Sequence, residues 1–204
     1  MNDNYYLDNS PFEYYKVKAT DATTSMDDKL ERKTPIITDW PDQHGLRRDY
    51  SESFYKERVF TIGVACFSEV MYDEFFAALT VSRPVRITRE SCCGNIKSFD
   101  VYLSSPNRAG TWKGIPFYDH LEFVEDMPIK MVYKCDTTSA QIHIESEHSL
   151  QISWGDQTFK NDVFTGDISH EYTDDYKSHY IIVSGRVSEA IIETDMFLVE
   201  KVLC

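Results

Sequence analysis

Apolar residues in this chain recur at every second position, in short runs broken by turn-rich segments, and that spacing restricts most of it to strands. Phe60, Ile62, Val64 and Cys66 alternate with Thr61, Gly63 and Ala65, which lays one apolar row on a core and leaves small residues on the other face. Val85 and Ile87 between arginines, Phe99/Val101/Leu103, Leu121/Phe123 and Ile129/Met131/Tyr133 repeat the pattern, and CCGN and SSPNRAGTWKG separate the runs. That rhythm predicts an all-β chain, mainly an antiparallel β-sandwich. One segment has the helical period instead. Met71, Phe75, Ala78 and Leu79 fall at i, i+4, i+7 and i+8, with Ser68 as N-cap and Glu69, Asp73 and Glu74 near the positive end of the helix dipole. The expectation is a short helix near residues 69–80 that buries Met71, Phe75 and Leu79 against the sheet.

The polar stretch CDTTSAQ has no apolar periodicity and reads as a linker, which divides the chain into residues 1–135 and 136–204. Beyond it lie Ile142/Ile144, Leu150/Ile152/Trp154, Tyr180 to Val183, and Val187 to Ile192, with turns at WGDQ and SGRV. A unit this short relies on a compact β-sandwich core and on contact with the first.

Composition narrows the partners. At 204 residues and 42% hydrophobic, the chain can bury one large or two small cores. Thirty-four acidic against 21 basic residues give a formal charge of −13 with no run of Lys or Arg, so nucleic acid is not an expected partner. The start, MNDNYYLDNSPF, lacks a signal peptide's basic opening and apolar core, and no stretch reaches the roughly 20 apolar residues that span a bilayer. A soluble cytoplasmic product with no membrane partner follows as the expectation. The five cysteines have no metal-ligand spacing, the adjacent Cys92 and Cys93 cannot easily form a relaxed disulfide with each other, and all read as reduced thiols.

Catalytic and metal motifs are missing from the sequence. His44, His120, His143, His148, His170 and His179 never form HExxH. His143 and His148 lie across an expected turn, and alternation puts His143 and Glu145 on the face away from Ile142 and Ile144, where they read as solvated residues. No GxSxG, GxGxxG or GxxxxGK[ST] is present, and the cysteines have no neighbouring histidine, so no enzyme activity, metal or cofactor is expected. Asp27-Asp28 and Asp174-Asp175 lack calcium-loop spacing and read as solvated loops. Tyr5, Tyr6, Phe12, Tyr14 and Tyr15 crowd the N-terminus as either the first strand of the sandwich or an arm that docks on a neighbouring subunit.

Two resemblances follow from the order of motifs. Trp154-Gly155-Asp156, then His170-Glu171-Tyr172, then SHYIIVSG resembles the PKD-like domains of bacterial surface and phage proteins, with Gln157 in place of a second glycine. In a structural reading Asp156 accepts backbone N–H groups in the turn, Trp154 and Tyr172 fill the core, and Gly155 permits close approach. The opening YYLDNSPF, the turn Trp40-Pro41-Asp42 followed by Gly45, the alternating strand, the EFFAAL helix and the RPVRI strand resemble the N-terminal domain of distal tail (Dit-like) baseplate proteins of long-tailed bacteriophages. That resemblance covers residues 4 to about 134. It implies a structural protein of the virion that assembles in the bacterial host cytoplasm. Its partners would be further copies of itself in a ring, commonly a hexamer, together with tail-tube and tail hub or fibre proteins. The alternative is a cell-surface or glycan binding module built on the PKD-like unit, with Trp112 as an exposed aromatic.

Overall fold

The computed structural model describes residues 3–20, 23, 25–34, 36–39, 46–49, 54–108, 117–173 and 178–203. For 36–39, 46–49, 106–108 and 117–119 only the backbone enters the description below. The first half contains β1 (Asn4–Leu7), β2 (Ser10–Pro11), a 3₁₀ turn over Phe12–Tyr15, β3 (Val17–Ala19), β4 (Ile36–Asp39), β5 (Leu46–Asp49), β6 (Arg58–Cys66), α1 (Glu69–Leu79), β7 (Val85–Glu90), β8 (Ile96–Arg108) and β9 (Phe117–Glu125). The second contains β10 (Lys130–Cys135), β11 (Ser139–Ser153), β12 (Phe159–Glu171), β13 (His179–Gly185), a 3₁₀ turn over Val187–Glu189, β14 (Ile191–Glu193) and β15 (Phe197–Val202). Among the described residues the chain is all-β with one short helix, in two main antiparallel sheets.

The first sheet has the order β2-β1-β7-β8-β9-β6-β3, and a separate hairpin pairs β4 with β5. It curls on itself, since Leu7 from one end and Val17 from the other join Phe60, Ile62, Val64, Phe99, Val101, Leu121 and Phe123 in one buried cluster. Phe60 lies 5.1 Å from Phe99 and 5.7 Å from Phe123, tilted pairs that add to the area they bury. The long β8 serves both halves: Ile96 to Val101 pair with β7, and from Tyr102 onward the strand pairs with β9, with a register shift between Leu103 and Ser105.

The aromatic N-terminus is the internal first strand, which removes the alternative of an intersubunit arm. Asn4 to Leu7 pair with Glu90 to Ile87, and Phe12 packs edge-on against Phe75 at 5.0 Å. A two-residue loop joins β1 to β2, with Asp8 and Asn9 both at positive φ, the conformation that matches strand twist in a tight hairpin.

The helix runs Glu69–Leu79, and its buried face is Tyr72, Phe75 and Leu79. Met71 is only partly buried, contrary to the sequence expectation. At 3.6 residues per turn Leu79 stands between Phe75 and Tyr72, so the stripe centres on Leu79 and Met71 is carried to its margin. Ser68 precedes the helix in extended conformation, but its hydroxyl makes no capping bond.

The second sheet has the order β12-β11-β13-β10-β15, with β14 also on β11. Strand Ile129/Met131/Tyr133, grouped from sequence with the first unit, pairs here with β13 and β15. CDTTSAQ is correspondingly no linker. Cys135 ends β10, Ser139 opens β11, and the Cys135 thiol packs on Thr137 and Ser139 in the tight connection between two strands of one sheet. The expected turn between His143 and His148 is instead an irregularity within β11, where the β12 partner jumps from Glu145 to Leu150. Met131, Tyr133, Ile142, Ile144, Leu150, Ile152, Trp154, Ile181 and Val183 form this unit's core.

Candidate functional site

Three features of the surface and of the junction between the sheets could carry function, and each begins from a sequence pattern. The first is the Trp154–Thr158 turn. Trp154 N–H donates to Thr158 O at 3.0 Å, and Gly155 stands at φ +91°. A Cβ at Gly155 would lie 2.8 Å from the carbonyl oxygen of Tyr180, so only glycine fits without moving backbone. Gln157 takes φ +74°, a left-handed conformation that costs a side-chain-bearing residue more than glycine. Asp156 holds it there: one oxygen accepts the Thr158 N–H at 3.1 Å and its hydroxyl at 2.5 Å, and the other meets His170 Nε2 at 2.6 Å. The His170 ring stacks on Trp154 at 4.9 Å, and the Tyr172 hydroxyl donates to Trp154 O at 3.0 Å. Burial alone would raise the Asp156 carboxyl, but the hydrogen bonds from Thr158 and His170 outweigh it and hold the group below its ordinary value. Trp154, Gly155, Asp156, His170 and Tyr172 thus meet in one network whose bonds close a turn.

The second feature is the junction between the sheets, and alternation concealed it. Arg86 and Lys130 occupy the polar phase of their strands and would be expected in water. Both are buried, at 4% and 0% exposure. Arg86 forks onto Asp100 at 2.6 and 3.0 Å and donates across to the carbonyl oxygen of Tyr180 and to Ser153 Oγ in the second sheet. Lys130 reaches back to Glu125 and to the carbonyl oxygen of Ser98, with its ammonium 4.1 Å from the Phe99 ring centre. Thr88 and Ser98 hydroxyls bond at 2.8 Å on the same face, Ser98 N–H donates to Glu200 at 3.3 Å, and Asn9 Nδ2 donates to Gly155 O at 2.8 Å. Burial pushes the Glu125 carboxyl up, against the opposing pull of Lys130 and Arg58. Burial likewise pushes the Tyr180 phenol up to about 12. At Arg86, Thr88 and Ser98 the polar phase of β7 and β8 faces a second sheet, not solvent, and the Arg86 charge is satisfied by partners on both sides.

The third is an apolar sheet edge. β15 closes one side of the second sheet, and Phe197 and Leu198 on it are 73% and 49% exposed. Phe164 on the opposite edge strand β12 is 50% exposed. Edge strands present unpaired backbone donors and acceptors, and exposed aromatic and aliphatic side chains beside them make such an edge a pairing surface. None of these three residues was singled out from the sequence.

The other sequence candidates lie elsewhere. Phe75 and Leu79 are in the first core. Trp40, Pro41, Asp42, Gly45 and Trp112 fall outside the described residues. His143 pairs with Asp167 at 2.6 Å and Glu145 at 3.5 Å, while His148 meets Glu189 at 2.9 Å and Arg186 at 3.2 Å. Their partners are separate, so the two histidines do not form one site. Among the described residues no three His, Cys, Asp or Glu side chains are grouped to hold a metal ion, and no helix is long and apolar enough to cross a membrane.

No family model matches the chain, and no curated protein matches it. Among solved structures it is similar to the crystal structure of SPP1 Dit (gp 19.1) protein, described as a paradigm of the hub adsorption apparatus in phages that infect Gram-positive bacteria. The likeness has a TM-score of 0.49 at 11% identity, covering 97% of this chain and 100% of that one. A score and an identity this low give the chain neither a family nor a role.

Proposed function

We propose that the chain is a non-enzymatic structural subunit of a bacteriophage or prophage tail tip, of the distal tail type, that assembles with copies of itself into a ring. The ring would join the tail tube to the adsorption apparatus, and the finished protein would reside in the virion. The order of motifs from YYLDNSPF to RPVRI suggests the family. The observation that carries the assembly reading is the β15 edge, with Phe197 and Leu198 in water beside an unextended strand. A heterologous contact, in which this edge meets a different surface of the next copy, closes into a ring when the rotation between copies allows it. The second unit, read as an appended PKD-like β-domain, supplies that edge and is fixed to the first by the Arg86 and Lys130 contacts.

The test is mass in solution, by light scattering, for the chain alone and mixed with tail-tube protein. A closed oligomer is expected in the mixture, with each contact burying on the order of 1,000 Å² or more. Replacing Phe197 and Leu198 by lysine should abolish it while leaving the circular dichroism of the monomer unchanged. A chain that stays monomeric at high concentration even with tail-tube protein present overturns the proposal.

A further inference from the structure

The β7–β8 hairpin ends in a turn whose two central residues are both cysteines. Gly94 N–H donates to Ser91 O at 2.9 Å across Cys92 and Cys93, Ser91 N–H donates to Asn95 O at 2.8 Å, and Gly94 takes φ +82° to return the chain to β8. Both thiols are exposed, whereas Cys66 and Cys135 are buried. Their sulfurs lie 3.8 Å apart, in contact, on the same side of the turn. Adjacent residues in an extended segment direct side chains to opposite faces, so this turn is what brings the two thiols together.

We propose that Cys92 and Cys93 form a reversible dithiol site that is oxidised to a vicinal disulfide by low-molecular-weight disulfides such as glutathione disulfide. The thiolate of one cysteine attacks a sulfur of the small disulfide, forming a protein–glutathione mixed disulfide and releasing one glutathione thiolate. The neighbouring cysteine, as its thiolate, then attacks the protein sulfur of that mixed disulfide. The Cys92–Cys93 bond forms, the bond to glutathione breaks, and a second glutathione thiolate leaves. The cysteine pair has lost two electrons and two protons, and the small disulfide has been reduced to two thiols. The second attack needs its nucleophile already beside the sulfur it attacks, and the 3.8 Å separation supplies that.

Strain decides that the bridge is reversible and not structural. Consecutive Cα atoms across a trans peptide are about 3.8 Å apart, shorter than the roughly 4.4–6.8 Å of relaxed disulfides. A strained, exposed bridge has a more oxidising potential, so mild thiol reductants reopen it. Closure would change the outer tip of the hairpin beside Asp3, whose carboxylate accepts the Cys92 N–H at 3.3 Å.

The experiment uses the full chain incubated with glutathione disulfide, quenched by alkylation and digested with trypsin. Cleavage after Arg89 and Lys97 isolates a peptide, Glu90 to Lys97, that holds these two cysteines and no other. The expected product has lost two hydrogens, carries neither alkyl group nor glutathione, and returns to the dithiol with mild reductant. Cys92→Ser and Cys93→Ser should each accumulate the glutathione adduct on the remaining cysteine, because the second attack is gone. Accumulation of that adduct in the unaltered chain overturns the proposal. So does a disulfide-linked dimer through this peptide, or a peptide that stays fully alkylated where the single-cysteine variants are modified.

Discussion

Arg86, in the first sheet, donates its guanidinium N–H to the carbonyl oxygen of Tyr180, in the second, while forking onto Asp100 in its own. One buried side chain therefore satisfies groups in both sheets. Replacing Arg86 by Met keeps much of the volume but leaves the Asp100 carboxylate, Ser153 and the Tyr180 carbonyl without their donor. The expected loss is about 3 kcal/mol, from breaking a buried pair by removing one partner. Urea denaturation measures it, and a loss under about 1 kcal/mol would show that water replaces the guanidinium at no cost.

Phe75 is fully buried in the middle of the helix face and touches Phe12 at 5.0 Å and Tyr15 at 5.4 Å. Phe75→Ala should cost about 3–5 kcal/mol. Met71→Ala, at a partly buried position, should cost clearly less. Equal losses at the two positions would contradict the helix orientation described above.

Deleting residues 1–15 should unfold the first unit rather than dissociate an oligomer. The deletion removes β1 from the edge of β7 and takes Leu7 and Phe12 out of the core. Far-ultraviolet circular dichroism should show loss of the cooperative transition. A truncated chain that still melts cooperatively would mean that the N-terminal strand is dispensable.

Asp156 makes stability depend on acid. Its carboxyl is held below its ordinary value, so its contribution is present above the unfolded value of about 3.9 and is lost as pH falls through the lower folded value. Asp156→Asn should flatten this part of the acid limb of the stability curve. An unchanged acid limb would show that the bonds to Thr158 and His170 add nothing to folding.

His143 shifts in the opposite direction. Its hydrogen bonds to Asp167 first, and to Glu145 second, raise it above the ordinary histidine value. The favoured imidazolium is fully present below about pH 6.5, and its advantage disappears as pH rises through the higher folded value. A proton NMR titration should place the His143 midpoint above that of a model histidine, and Asp167→Asn should bring it down.

The sequence showed where strands lie more clearly than what their polar faces meet. Phe60, Ile62, Val64 and Cys66 fall on the first core as alternation requires, and the helix begins and ends within a residue of its expected bounds. Arg86 and Lys130 could not be placed that way, because period-2 patterning separates two faces without saying whether water or another sheet covers the polar one. The grouping of Ile129 to Tyr133 failed for a related reason. A strand's own residues do not name its neighbours, and the polar CDTTSAQ looked like a boundary although it connects two strands of the same sheet. The Asp156, His170 and Tyr172 cluster was visible as motifs, but its meeting was not, because the register sets His170 opposite Ala140 and Phe159 opposite Ser153, at opposite ends of the β11–β12 hairpin.

The shared strand β8 makes the two flanks of the first sheet mechanically dependent. Its first half is held by β7 and its second by β9, so a slip along one flank must drag the other out of register as well. A pull on the Cys92-Cys93 hairpin end would pass along β8 into the β9–β6 side as shear across many hydrogen bonds at once. Shear shares the load among all of those bonds, whereas peeling would break them one at a time.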